Sequence, residues 1–212
     1  MAIKTILSAA SAALIGVGVA NAATITFEGE DEVAITEGDS FMVGDVTFTQ
    51  GTSDSLGFLA IVDEAIFVEA GTTKMWSGNR ANVIMSLTSG DLFSLNSVDL
   101  GGSFVRSPAR WADGITITGT LADMSTISLL IDLPAADPNY VNVVFGAAWS
   151  ALMSVEFAAT GSNGTGLYDY EFTLDNIDFG EASAVPLPAA APLFLAGAAA
   201  AGFARRRRAK TA

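Results

Sequence analysis

Short runs in which apolar and polar residues alternate recur through the middle of the chain, and turn-forming Gly, Asp, Asn or Ser residues separate them. A period of two with many β-branched residues is typical of strands that bury one face. These runs predict strands at residues 25–27, 46–49, 58–62, 66–68, 83–87, 95–100, 115–118, 125–131, 141–145, 155–159 and 172–174. No amphipathic pattern predicts a helix longer than about two turns.

Many short strands in a stretch of ordinary domain length favour two packed antiparallel sheets. The predicted fold class is therefore an all-β antiparallel β-sandwich of the jelly-roll type. The domain is predicted to span residues 23–181, between an N-terminal segment (1–22) and a C-terminal segment (182–212). Residues 74–80 and 106–114 are polar and contain glycine or proline, which predicts two loops.

The last predicted strand changes phase along its length. Phe172 and Leu174 lie on one face by their spacing, whereas Ile177 and Phe179 lie on the other. Keeping all four residues in the core requires one extra residue, so a β-bulge is predicted at residues 175–176. A simple turn at the same two residues is the alternative.

The first 22 residues have the pattern of an export signal. Lys4 provides a positive charge, residues 6–19 are apolar and uncharged, and Ala20-Asn21-Ala22 is a small-x-small cleavage site. This pattern predicts cleavage by signal peptidase after Ala22, so that the mature chain begins at Ala23. A retained N-terminal anchor helix is the alternative.

The C-terminal segment combines a proline-containing motif, an apolar run and a cluster of arginines. The motif is Val185, Pro186, Leu187, Pro188 and Ala189, and the cluster is Arg205, Arg206, Arg207 and Arg208. A helix over the apolar run between them would be about 24 Å long at 1.5 Å per residue, which is shorter than a hydrocarbon core of about 30 Å. The arginines predict that the C-terminus stays cytoplasmic while the domain lies outside.

This segment resembles the PEP-CTERM class of bacterial sorting signals, and its motif at residues 185–189 is similar to the VPLPA variant of that class. The resemblance implies recognition by an exosortase, a multi-pass membrane protease that cuts near the motif. It also implies a Gram-negative bacterium, an inner-membrane intermediate, and delivery to the cell surface or the extracellular matrix. The alternative is a plain membrane anchor, in which the C-terminal helix is retained.

The charge of the chain is unevenly distributed. The formal charge of the whole chain is −13, but residues 24–184 contain all 23 acidic residues and only four basic ones, a net charge of −19. The four basic residues are Lys74, Arg80, Arg106 and Arg110. Because phosphate binding needs Lys and Arg, this balance excludes nucleic acid as a partner.

His and Cys are both absent from the chain. Their absence excludes disulfides, thiolate or imidazole metal sites, and nucleophilic catalysis that depends on His. The acidic residues mostly lie beside Gly, Asp or Asn in predicted turns, and none stands in a recognisable catalytic context. The sequence therefore predicts a protein that is not an enzyme.

Aromatic residues supply the remaining candidate chemistry, because amphipathic rings stack on sugars. Trp76 and Trp111 fall in the two predicted loops, and loops on a rigid sandwich are where binding residues gather. They are the candidate ligand-binding residues, and packing beneath a loop is the alternative for each. Trp149 has alanines nearby on both sides, which predicts a core position.

Two short segments resemble the first and last strands of galactose-binding-like jelly rolls, a group that includes several carbohydrate-binding modules. They are Phe27-Glu28-Gly29 and residues 172–179. In that architecture the first and last strands are adjacent, and a structural calcium ion often lies between an early acidic residue and a late aspartate. Carried over by position, the resemblance implies Glu28 and Asp175 as calcium ligands, and no other cofactor.

Two functions remain open for the domain. One is a carbohydrate-binding module that ties the cell to its own exopolysaccharide. The other is a structural surface protein without a specific ligand, whose acidic face interacts with divalent cations and other matrix components.

Overall fold

The computed structural model describes residues 22–30, 32–53, 56–63, 72–103, 108–134, 139–161 and 170–182. The strand predicted at 66–68 lies outside these ranges, as do Ala20, the motif at 185–189 and the arginines at 205–208. Within the part of the chain that is described, no helix is long and apolar enough to cross a membrane.

The described residues form short strands joined by turns and two single-turn 3-10 helices. The strands are β1 (Ala22–Ile25), β2 (Ala34–Ile35), β3 (Ser40–Val43), β4 (Val46–Gln50), β5 (Phe58–Val62), β6 (Lys74–Gly78), β7 (Val83–Leu87), β8 (Phe93–Gly101), β9 (Gly114–Leu121), β10 (Thr126–Asp132), β11 (Val141–Val144), β12 (Leu152–Thr160) and β13 (Phe172–Glu181). The 3-10 helices are Pro108–Arg110 and Ala147–Trp149.

Every pairing between these strands is antiparallel. Hydrogen bonds connect them in the order β2-β5-β6-β13-β8-β12-β7-β4-β3, with β1 beside β13, β11 beside β8, β9 beside β12, and β10 beside β9. Along β13, β8 follows one edge, while β6 and then β1 follow the other. The prediction of an all-β antiparallel fold is confirmed.

Aromatic contacts bring together strands that do not pair with each other. Phe27 follows β1, which lies beside β13, yet its ring centroid lies 5.6 Å from that of Phe48 in β4. Phe48 also stacks on Phe41 of the neighbouring strand β3, again at 5.6 Å. Because β4 is four places from β13 in the hydrogen-bonded order, the sheet folds back and packs face to face, in agreement with a β-sandwich.

The bulge predicted from the phase change is confirmed. Asp175 pairs with Asp99 of β8 but Asp178 pairs with Ser97, so three steps along β13 match two steps along β8. Asn176, between the two pairs, has a positive φ of 46°. The extra residue lets apolar side chains on both sides of the bulge face the same core.

The prediction of a loop at residues 74–80 is wrong for its first part, because residues 74–78 form β6. This strand is buried on both faces, and Lys74 and Ser77 are as inaccessible as Met75. Because a lysine and a serine occupy buried positions, this segment lacks the alternation of apolar and polar residues from which a strand is predicted. The short strands β2 and β3 are likewise missing from the predicted set, whereas Trp149 is buried as predicted.

Truncating Phe48 tests the packing of one layer on the other. Phe48 is fully buried, so we expect Phe48→Ala to lower the free energy of unfolding by about 3–5 kcal/mol through lost burial and a residual cavity. Met42→Ala on β3 is the control, because Met42 is 59% exposed and its loss should change stability by no more than about 0.5 kcal/mol. Urea unfolding followed by circular dichroism measures both, and equal effects would contradict this packing.

Candidate functional site

The first half of β13 and the residue before it are buried on both faces. Phe172 and Leu174 belong to the hydrophobic core. The alternate residues Glu171, Thr173 and Asp175 are 0%, 0% and 2% exposed on the opposite face. Buried polar groups need hydrogen-bond partners. The partners of this polar row determine which side chains gather around β13.

Glu171 is held by two neighbouring side chains, those of Ser103 and Arg110. Ser103 Oγ donates to Glu171 Oε2 at 2.6 Å, and the Arg110 guanidinium forms an ion pair with Oε1. Burial raises the pKa of Glu171 above its usual value, and the hydrogen bonds from Ser103 and Arg110 offset part of that rise, as do the charge of Arg110 and the nearby Trp76 indole. Both carboxylate oxygens are thus engaged within the protein.

Backbone hydrogen bonds fix the segment that carries Arg110 and Trp111 against Glu171. The Glu171 N–H donates to the Arg110 carbonyl at 2.8 Å, and the Ala112 N–H donates to the Glu171 carbonyl at 3.0 Å. The Trp111 ring then lies over Gly102, where an added Cβ would be 2.1 Å from Trp111 Cδ2. Only glycine leaves room for this ring, which is why Trp111 is 8% exposed.

Trp76 approaches the same carboxylate from β6. It lies opposite Thr173 of β13, and its ring meets that of Phe58 edge-on with centroids 4.5 Å apart. Trp76 is half-buried, whereas Trp111 is buried. The two tryptophans that the sequence singles out therefore meet around Glu171, although Trp76 stands on a strand and not in the predicted loop.

A second arginine lies at the same end of β13. The guanidinium carbon of Arg80 is 4.0 Å from the centre of the Tyr170 ring, which is a cation–π contact. Arg80 is exposed and Tyr170 is buried. We call this group the β13 start site, and its members are Trp76, Arg80, Arg110, Trp111, Tyr170 and Glu171.

Glu171 is the central member that sequence reasoning missed. Its position directly before Phe172 places it on the face opposite the core, and that alternation is the only local signal. The chain has 23 acidic residues, so an acidic residue next to a strand is not by itself distinctive. The burial of this one depends on partners that are distant in the sequence.

A second polar cluster surrounds Asp175 at the bulge. Burial raises the pKa of Asp175 to about 6, the Asp99 charge adds to the rise, and the Asn176 N–H, the Thr72 side chain and the Lys74 charge act in the opposite direction. Lys74 is 0% exposed. The Asn176 side chain donates to Asp99 Oδ2 at 2.8 Å. The cluster therefore places a buried amine near a buried carboxyl group.

The predicted calcium ligands do not form a metal site by themselves. Glu28 accepts hydrogen bonds from the Thr73 N–H at 2.8 Å and from Thr73 Oγ1 at 3.3 Å. Asp175 lies close enough to the Lys74 ammonium to feel its charge, which opposes a bound cation. Across the described ranges no three potential metal-ligating side chains come together. Calcium binding stays a prediction.

No protein-family model and no curated protein matches the chain. A variant of the family 29 carbohydrate-binding module CBM29-2 is similar in structure at 10% identity, with a TM-score of 0.40 over 80% of this chain and 99% of that one. The family 32 module of C. perfringens NanJ, solved with galactose, is similar at 11% identity, with a TM-score of 0.38 over 70% and 99%.

The raised pKa of Glu171 predicts a pH dependence of stability. The folded chain binds the proton of the Glu171 carboxyl group more tightly than the unfolded chain does. The stabilisation that results from this difference is fully present below the ordinary glutamate pKa of about 4.3. It is lost as the pH rises through the folded pKa. We therefore expect the stability of Glu171→Gln relative to the parent chain to increase as the pH rises.

Urea unfolding at several values between about pH 4 and 7 measures this difference. Glu181→Gln, which removes an exposed carboxylate at the other end of the same strand, is the matched control for the loss of one negative charge. A difference between Glu171→Gln and the parent chain that does not change with pH would contradict the prediction.

Proposed function

We propose that this chain is an exported, non-catalytic β-sandwich that binds carbohydrate at the β13 start site. Its partner would be exopolysaccharide of the cell's own surface or matrix. The observation that carries the proposal is the convergence of Trp76 and Arg110 on the buried carboxylate of Glu171, with Trp111 in the segment that bridges to the Glu171 backbone.

The chemistry of the site suits a sugar ligand. A half-buried indole offers an apolar face to the C–H groups of a sugar ring, and arginine offers several fixed donors to its hydroxyl groups. Trp76, Arg80 and Arg110 are the members that reach solvent, while Trp111 and Glu171 lie beneath and support them. Because strands and backbone hydrogen bonds hold these side chains, little ordering is required on binding.

The acidic residues along β13 favour binding over hydrolysis. Glu171 accepts hydrogen bonds on both oxygens from Ser103 and Arg110, which gives this carboxylate a structural role. Asp175, the other buried carboxyl group of the row, is four residues along the strand, about 13 Å at roughly 3.3 Å per residue. Glycosidases need two carboxyl groups about 5–9.5 Å apart, so this pair does not suit that reaction.

The export part of the proposal rests on the segments at 1–22 and 182–212. Signal peptidase would remove the first segment, and an exosortase would cut near residues 185–189. Until that cut, the apolar helix would lie in the inner membrane, and the arginines at 205–208 would stay on the cytoplasmic side. The processed domain would then reach the cell surface or the extracellular matrix.

A glycan array that includes the exopolysaccharide of the producing cell tests the binding proposal. We expect saturable binding by the parent chain and at least about a tenfold loss of affinity for Trp76→Ala, which is about 1.4 kcal/mol. Trp111→Ala should also weaken binding, because Trp111 holds the segment that carries Arg110.

Trp149→Ala is the matched control, because Trp149 and Trp111 are each 8% exposed, and Trp149 ends one 3-10 helix whereas Trp111 directly follows the other. This substitution should lower stability without changing the affinity of the folded protein. If the parent chain binds no glycan, the domain is instead a structural surface protein without a specific ligand.

Mass spectrometry of protein released from the cell surface tests the sorting proposal. We expect an N-terminus at Ala23 and a C-terminus near residues 185–189. Replacing Pro186 and Pro188 together by alanine should leave the uncut chain in the membrane fraction, because the exosortase would lose its motif. A released chain that still ends at Ala212 would leave only the plain-anchor alternative.

A further inference from the structure

Backbone strain is concentrated at the β13 start site. Asn79, Arg80 and Tyr170 have φ values of 54°, 59° and 62°. This left-handed conformation suits glycine and is tolerated by asparagine, whereas a bulky residue such as tyrosine is an outlier there. Arg80 and Tyr170 are also the two partners of the cation–π contact. The strain therefore falls on both members of one pair.

The turn between β6 and β7 favours glycine at the position that Arg80 occupies. The Ala81 N–H donates to the Gly78 carbonyl at 3.2 Å, and both residues between them have positive φ, which is the pattern of a type I′ turn. Such turns favour asparagine followed by glycine. This turn has asparagine at the first central position but arginine at the second. The arginine thus costs stability that a glycine would not.

Neighbouring groups hold this turn in place. Asn79 is buried, and its Nδ2 donates to the Leu56 carbonyl at 2.8 Å. Ser77 Oγ donates to the Ala81 carbonyl on the other side of the turn. Strained residues persist only where the surrounding structure determines their conformation, and they cluster at sites that bind ligands. These contacts fix the point from which the Arg80 side chain leaves the backbone.

The Tyr170 ring forms a rigid base for the Arg80 guanidinium. Tyr170 is buried and directly precedes Glu171, whose N–H donates to the Arg110 carbonyl at 2.8 Å. A Cβ added at Gly161 would be 2.8 Å from Tyr170 Cε1, so a glycine there leaves room for the ring. The Arg80 guanidinium carbon lies 4.0 Å from the centre of this ring, and Arg80 is exposed. The pair therefore presents a cation to solvent.

Arg80 places this cation on an acidic domain. Residues 24–184 carry a net charge of −19. Arg80 is the exposed one of the three basic residues that the structure describes, because Lys74 is buried and Arg110 is half-buried. A polymer with negative charges is repelled by the acidic residues and attracted at this cation, so the charges orient it. The fork of a guanidinium matches the two oxygens of a carboxylate.

We propose that Arg80 is the specificity-determining residue of the β13 start site and that it binds the carboxylate of an acidic sugar, such as a uronic acid. This assignment rests on the proposed carbohydrate-binding function and names the class of sugar. Trp76 offers its face to the sugar ring while Arg80 holds the carboxylate. A glycine at residue 80 would relieve the strain but would carry no cation, which accounts for the arginine.

Binding to the exopolysaccharide of the producing cell, before and after chemical reduction of its carboxyl groups to alcohols, tests this assignment. We expect the processed chain to bind the reduced polymer at least about tenfold more weakly, because the charge-assisted hydrogen bonds are lost. Equal affinity for the two polymers, or binding to a native polymer without carboxyl groups, would overturn the assignment and leave the proposed function intact. Binding to neither polymer would overturn both.

Arg80→Gly separates recognition from structure. We expect this variant to bind the native polymer at least about tenfold more weakly, while its urea midpoint equals or exceeds that of the parent chain because glycine relieves the strain. A lower midpoint with unchanged affinity would show that Arg80 is only structural and would overturn the assignment. Arg80→Asn also suits this backbone and carries no charge, so it should give the same result and decides the matter if Arg80→Gly does not fold.

Met124→Gly is the matched control. Met124 has a φ of 67° and is 70% exposed in the turn between β9 and β10, at the opposite end of β9 from Trp111. This substitution relieves the same kind of strain away from the β13 start site, so it should raise the urea midpoint and leave the affinity unchanged. A loss of affinity equal to that of Arg80→Gly would overturn the assignment.

Discussion

A strand that is buried on both faces has to satisfy its polar side chains inside the protein, and β13 is such a strand along its first half. A buried polar group without a partner costs about 1–3 kcal/mol, so Glu171, Thr173 and Asp175 each require one. The loop after β8 and the segment before β9 provide the hydrogen-bond and ion-pair partners of Glu171. The segment at the start of β6 provides the polar neighbours of Asp175. The positions of these segments follow from that requirement.

Positive charge in the domain is concentrated around the same strand. The domain has four basic residues against 23 acidic ones, and the three that the structure describes all act on β13 or on the two residues before it. The charge of Lys74 acts on Asp175, Arg80 lies over the Tyr170 ring, and Arg110 forms an ion pair with Glu171. The rest of the described surface has no basic residue, so the β13 start site is the one described region where cations and aromatic rings occur together.

The sequence predicted those features that depend on local alternation. Runs of β-branched residues located most strands, and the phase change after Leu174 located the bulge, because one core admits only one register. β6 escaped prediction because its buried Lys74 has the appearance of a surface residue. For the site, residue type was enough to select Trp76 and Trp111, but the burial of Glu171 depends on Ser103 and Arg110, which only the tertiary fold brings to it.

The pairing of β1 with the second half of β13 brings the first and last residues of the described domain close together. Ala22 lies opposite Gly180, so both ends of the described domain leave from one end of the structure. Glu171 lies at the opposite end of β13, and the ten residues of that strand span about 33 Å at roughly 3.3 Å per residue. A molecule tethered through its C-terminal tail would carry the β13 start site at its outer tip, and would hold a bound polymer one domain length clear of the bilayer.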